Sequence, residues 1–313
     1  MPNEIGLWNK TPETPEGITA PTPETTVAPK RKTIRWSIFD ALIALGLTLA
    51  TQVVLSIAII AIYLAKHSTD LASIDTNKIT SDLTNGPVIV ASSLLMYAVW
   101  FMSIWYASNK RGLKSYSKDF WLKFKPRDLW IGALVALGVR LAEFAVTNGL
   151  SALGVNMDGA NNATSITDLT GFWFFAGAIV IASFMGPFME EFLFRGLFLQ
   201  ALLRLFRSAR ITASRKSDEK MEYVGTLYRV LNVINGFLFK RRNILAALVT
   251  SAIFGSMHYQ GFETFGQVFV VLWTGSLGFL LAMMVYRTKR LGPGIVAHIL
   301  INLSGVLLAV IGS

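Results

Sequence analysis

Long, nearly uncharged apolar runs leave this chain very few ways to fold. They cover residues 38–65, 87–107, 129–153, 171–203, 244–258, 264–286 and 293–310. Most reach the roughly 18–20 residues that a helix needs to cross a bilayer. Within hydrocarbon each backbone N–H and C=O must find its partner inside its own segment, so all seven are expected to be helices. The expected class is all-α, a polytopic transmembrane helical bundle of about seven spans. Composition agrees: 53% of the 313 residues are hydrophobic and 15% are charged, against about 25% charged in a soluble protein.

The connections sort by charge. Lys30, Arg31, Lys32 and Arg35 precede the first run, and Lys110 to Arg127 supply seven cations between the second and third. The long connection 204–243 is strongly basic, and Arg287, Lys289 and Arg290 precede the last run. The alternate connections are poor in Lys and Arg. This alternation places the N-terminus in the cytoplasm of a multi-pass cell-membrane protein. An eighth span would bring both ends inside. The one candidate, 222–239, carries Arg229, Asn232 and Asn235 and reads better as an interfacial helix. The net charge of +10 is thereby accounted for by topology, with membrane lipid as the partner and no nucleic acid.

Residues 1–36 form a Pro-, Thr- and Glu-rich leader expected to be a disordered cytoplasmic tail. Residues 37–170 then supply the first membrane helices, and 171–313 a core that includes the basic loop 204–243. The chain has no cysteine, which removes disulfides, thiolate ligands and a cysteine nucleophile.

Polar groups inside the apolar runs are the informative ones. Met189-Glu190-Glu191-Phe192-Leu193-Phe194-Arg195 sets three charges in the fourth run, where each costs roughly 2.5–3.5 kcal/mol on insertion scales. Residues four apart share a helix face while neighbours diverge by about 100°. Glu191 and Arg195 are therefore expected to pair as a structural salt bridge, with Glu190 pointing elsewhere. His258 ends the fifth run, four residues after Phe254, and His298 and Asn302 share a face of the last. Glu190, His258, His298 and Asn302 around one wet cavity would suit hydrolysis, a carboxylate and an imidazole taking a proton from water while the other groups donate to an oxyanion. Glu190, His258 and His298 equally make a three-ligand zinc set with an open position. Arg140 and Glu143 are expected to neutralise each other. Asp40 is expected to be hydrated near the inner surface, and Trp100, Trp105, Tyr106, Trp121 and Trp130 to act as interfacial anchors.

Glu190-Glu191-x-x-x-Arg195, Phe254-x-x-x-His258 and His298-x-x-x-Asn302 resemble, in order and spacing, the three motifs of the CPBP family. That family includes type II CAAX prenyl endopeptidases and the abortive-infection and bacteriocin-immunity proteins. The likeness covers roughly residues 171–310, and Phe194-Arg195-Gly196 adds to it. It implies an intramembrane endopeptidase acting on a membrane-associated protein or peptide. Glu190 and His258 would activate water, His298 and Asn302 would stabilise the oxyanion, and Glu191 and Arg195 would support them. It implies a glutamate mechanism without metal, and zinc on Glu190, His258 and His298 stays open. Two other classes of function fit the same residues: a non-catalytic immunity or partner-binding protein on this scaffold, and a proton-coupled transporter. Counted along the runs, His298 sits about 8 Å from the inner surface and His258 about 20 Å deep. Either the fifth helix starts outside the hydrocarbon or the cavity reaches mid-membrane.

Overall fold

The computed structural model describes residues 34–67, 85–160, 169–207, 241–259 and 263–312. The expected tail up to residue 33, the basic loop from 208 to 240 and the interfacial candidate 222–239 lie outside them. Among the described residues there are seven long helices and no strand. They are α1 (Ile38–His67), α2 (Gly86–Arg111), α3 (Arg127–Ala152), α4 (Gly171–Arg207), α5 (Arg242–Ser256), α6 (Phe265–Thr288) and α7 (Gly292–Gly312). Six are long and apolar enough to cross a membrane. The exception is α5, whose 15 residues extend about 22 Å, short of the ~30 Å hydrocarbon core. The protein is a multi-pass helical membrane protein.

Burial identifies α4 as the centre of the bundle. Every residue from Glu191 to Leu203 is buried. By contrast α1 exposes Val53, Val54 and Ile57, and α3 exposes Leu134, Leu141 and Phe144, as helices do when one face meets lipid. Pro187 does not break α4. Phe175–Met185 and Glu191–Phe198 are wound as π-helix on either side of the α-helical Gly186–Glu190. Proline removes one N–H from the ladder and crowds the preceding turn. A wider turn relieves that crowding, and such turns concentrate at functional sites.

The other helices pack around α4 in pairs, α5 on α6, α3 on α7 and α1 on α2. Small residues set the closest approach. A Cβ on Gly255 of α5 would lie 2.6 Å from the Val271 carbonyl oxygen and 3.0 Å from the Gly275 Cα of α6. Backbones brought this close gain dispersion contact that lipid cannot supply, the usual glue between membrane helices.

At the end of the bundle where α2 stops and α3 starts, carboxylates bind the connections. Asp119 accepts from the backbone N–H of Leu113 and Ser115 and from Ser108 Oγ. Asp128 takes Arg290 through two bonds of 3.2 and 2.6 Å. Asp40 is not hydrated as expected. It is buried, 2.7 Å from Arg111 Nη1, and also accepts from the Ser37 N–H. Trp130 is exposed, as an interfacial anchor should be. Trp100 is not: it is 2% exposed and donates its indole N–H to Thr48 Oγ1 at 2.6 Å. Its position within one apolar run could not show that Thr48 of α1 lies opposite.

Candidate active site

Three helices bring the motif residues together. α4 carries Glu190, Glu191 and Arg195, α5 carries Phe254 with His258 just past its last turn, and α7 carries His298 and Asn302. Arg195 Nη1 stands 3.0 Å from Glu191 Oε1, and the two side chains are 1% and 0% exposed. The guanidinium also lies over the Phe254 ring, 4.3 Å from its centroid, a desolvated cation–π contact. Close packing leaves room for it: a Cβ on Gly278 would meet Arg195 Nη2 at 3.1 Å, and one on Gly294 would meet Glu191 Oε2 at the same distance.

The two glutamates do not diverge as α-helical phase suggests. Both reach one imidazole. Glu191 Oε1 is 3.1 Å from His298 Nδ1, and Glu190 Oε2 is 3.6 Å from His298 Nε2. The first is a hydrogen bond. The second is longer than one, and Glu190 Oε2 is buried with no hydrogen-bond partner. Glu191 thus bridges Arg195 and His298 through Oε1, and each glutamate keeps one buried Oε2 with no hydrogen-bond partner.

His258 Nδ1 lies 2.9 Å from the Phe254 carbonyl oxygen. A carbonyl only accepts, so Nδ1 carries the proton and Nε2 of the neutral ring keeps its lone pair. The Phe254 ring separates the histidines, with centroid distances of 4.8 Å to His258 and 5.9 Å to His298. The conflict in depth has a geometric answer. Phe254 is 12 positions into α5 and His298 six into α7, yet their rings touch, so α5 begins further from the site than α7. Asn302 donates through Nδ2 to the Ala182 carbonyl at 3.0 Å, which leaves its second N–H free for another acceptor.

A cavity of about 490 Å³ opens beside these groups. His258, His298 and Asn302 line it together with Trp273 and Leu277 of α6, and its wall continues along α7 to Ala309 and out to Ala160. Glu190 is not part of the wall. It meets the site through His298, and its side chain is 20% exposed. His258 bonds the Phe254 carbonyl and Glu190 faces His298, and no hydrogen bond or ion pair between Glu190 and His258 is found among the described residues. Among the described residues, no three His, Asp or Glu side chains stand close enough to hold a metal ion. Glu190, His258 and His298 as arranged therefore do not converge as a three-ligand zinc set.

Two sets of residues at this site escaped the sequence reading. Arg140 and Glu143 do pair, at 2.5 Å, but they also line the cavity. Arg140 ties α3 to α7 through Ser304 Oγ at 3.0 Å and the Ile301 carbonyl. Tyr97 of α2 is the other. A Cβ on Gly186 would lie 2.9 Å from the Tyr97 hydroxyl and 3.8 Å from Glu190 Oε1, so hydroxyl and carboxylate converge over that glycine. No spacing rule links position 97 to 190; only the packing of α2 on α4 does.

Fold and site together define a multi-pass helical membrane protein with carboxylates and imidazoles gathered beside an internal cavity. Residues 172–304 match the family model described as type II CAAX prenyl endopeptidase Rce1-like. The match takes in all three motifs, so the resemblance drawn from them holds over that segment, and the family is one of proteases. No curated protein and no solved structure matches the chain.

Proposed function

We propose that the protein is an intramembrane endopeptidase that hydrolyses a peptide bond in a membrane-associated protein or peptide. The observation that carries this reading is the Glu190 carboxylate, its Oε2 buried without a hydrogen-bond partner and facing His298, which itself lines a cavity inside an apolar bundle. A buried acceptor with nothing to accept is costly, and a water molecule would satisfy it. Glu190 takes the proton of that water, and the lone pair on His258 Nε2 orients it by accepting its other hydrogen. The hydroxide attacks the peptide carbonyl carbon. The tetrahedral oxyanion accepts hydrogen bonds from the free N–H of Asn302 and from the His298 imidazole. Protonated Glu190 then delivers its proton to the leaving amine, which restores the carboxylate. Glu191 and Arg195 hold His298 in place and touch no reacting atom.

The test is Glu190→Ala and Glu190→Gln. Membrane proteins of cells with the wild type and with each variant are compared by proteomics, and the cleavage found is then measured on purified protein. Loss of a general base should lower the rate by about 10²–10⁴-fold, with thermal unfolding little changed because the contact of Glu190 to His298 is long, at 3.6 Å. Cleavage at the wild-type rate would show that Glu190 is not the base. Metal analysis belongs to the same preparation. Activity that chelation removes and zinc restores would overturn the glutamate mechanism.

A further inference from the structure

A second cavity, of about 280 Å³, lies at the opposite end of α4 from the expected outer surface. It is where the end of α4, the start of α5, the end of α6 and the one-turn helix Tyr116–Asp119 meet. Lys118, Arg204, Arg207, Arg242 and Lys289 line it, and among the described residues no Asp or Glu does. Asp119, an acid that Arg204 senses, is already engaged by Leu113, Ser115 and Ser108. Five cations around so small a space repel one another, and salt screens them poorly where they are partly buried. Lys289 registers this. Its pKa is pushed down, first by burial and then by the Arg207 charge.

Two donors in this cavity are idle. Gln200, 4% exposed, lines it with a buried Nε2 that has no hydrogen-bond partner, and Nη1 of Arg204 is buried in the same condition. Aromatic rings hold the cations in position from behind. Arg204 lies over Trp36 with its Cζ 3.6 Å from the centroid, and Lys289 Nζ stands 3.8 Å from the Tyr286 ring and 4.5 Å from that of Trp121. Clustered cations and unspent, buried N–H donors define an acceptor-rich anion by complementarity.

We propose that this cavity binds a phosphate-bearing anion, either the headgroup of an anionic phospholipid or free phosphate. Such a group neutralises the five cations and gives Gln200 Nε2 and Arg204 Nη1 the acceptors they lack. The site belongs where basic pockets between membrane helices take lipid headgroups. Arg204 lies 14 positions beyond Glu190, roughly 20 Å along α4, so the proposal is independent of the chemistry at Glu190.

The test uses the full chain in maltoside micelles carrying a fluorescent phosphatidylglycerol. Unlabelled phosphatidylglycerol, phosphatidylcholine and sodium phosphate compete at matched ionic strength, with sodium chloride as control. The wild type should hold phosphatidylglycerol at least tenfold more tightly than phosphatidylcholine. Arg207→Gln with Lys289→Gln, both exposed side chains, should remove most of that preference. Gln200→Leu should weaken it several-fold with the unfolding temperature unchanged. Displacement by sodium phosphate, with stabilisation of the wild type but not of the double variant, would assign the site to free phosphate. Displacement by phosphatidylglycerol alone would assign it to lipid. Equal affinity for the two lipids without a phosphate effect, or variants that bind as the wild type does, would overturn the proposal.

Discussion

Replacing Arg195 by methionine isolates what the buried ion pair contributes. Methionine keeps most of the volume and all of the apolar stem, so a cavity is not the main effect. What is lost is the cation 3.0 Å from Glu191 Oε1 and 4.3 Å above Phe254. Glu191 then keeps only its hydrogen bond to His298 Nδ1, and its Oε2 already has no partner. Removing one partner of a buried pair costs about 3–5 kcal/mol, because the remaining charge is stranded. The cation–π contact lies in the range of about 2 kcal/mol when desolvated, which places Arg195→Met toward the upper end. For a chain of this size that corresponds to a fall in unfolding temperature on the order of 10 °C.

Glu191→Gln strands the arginine instead and should cost about 3 kcal/mol. The double variant removes both charges and should recover at least about 2 kcal/mol relative to the sum of the singles. Thermal unfolding of the four purified proteins at one scan rate, followed by tryptophan fluorescence, reads the cycle. Additive effects, or an Arg195→Met protein as stable as the wild type, would refute the view that this pair is structural.

Three further outcomes follow from the geometry. Gly255→Val places side-chain atoms where Val271 O is already 2.6 Å from a Cβ. It should separate α5 from α6, cost about 1–3 kcal/mol and displace His258, with activity falling more than folded yield. Tyr97→Phe removes the hydroxyl that converges with Glu190 over Gly186; peptidase activity should drop about tenfold, roughly 1.4 kcal/mol, with the unfolding temperature held, and unchanged activity would dismiss Tyr97 from the site. Because the chain has no cysteine, single replacements report topology cleanly. Ala160→Cys at the cavity edge should react with an impermeant maleimide on intact cells, and Lys125→Cys should react only once the membrane is opened. The reverse pattern would invert the assigned orientation.

Helix positions were legible because an apolar run of membrane length has few alternatives. The three motifs were legible because i,i+4 spacing fixes a face. Contacts between helices were not. Trp100 looked like an interfacial anchor, but it sits midway along α2 and its N–H is spent on Thr48 of α1. Asp40 looked solvated, and its partner Arg111 is 71 positions away. Arg140 and Glu143 satisfied the local rule for a neutral pair, which says nothing about the cavity they border. In each case a rule within one helix identified the group, and packing against another helix decided its role.

The same limit explains the two glutamates. Counting about 100° per residue separates Glu190 from Glu191, and that count assumes α-helical winding. From Glu191 to Phe198 α4 runs as π-helix, with fewer degrees per residue, and the imidazole of His298 fits between the two carboxylates. The distinction between a structural and a free carboxylate therefore rests on bonding rather than direction. Glu191 is committed twice, to Arg195 and to His298 Nδ1. Glu190 faces the other nitrogen of the same ring from 3.6 Å, too far for a hydrogen bond. Substituting Glu191 should thus change stability and the placement of His298 together, whereas substituting Glu190 should change the reaction alone. A Glu190→Gln protein that unfolds as early as Glu191→Gln would show that the two carboxylates share one structural role.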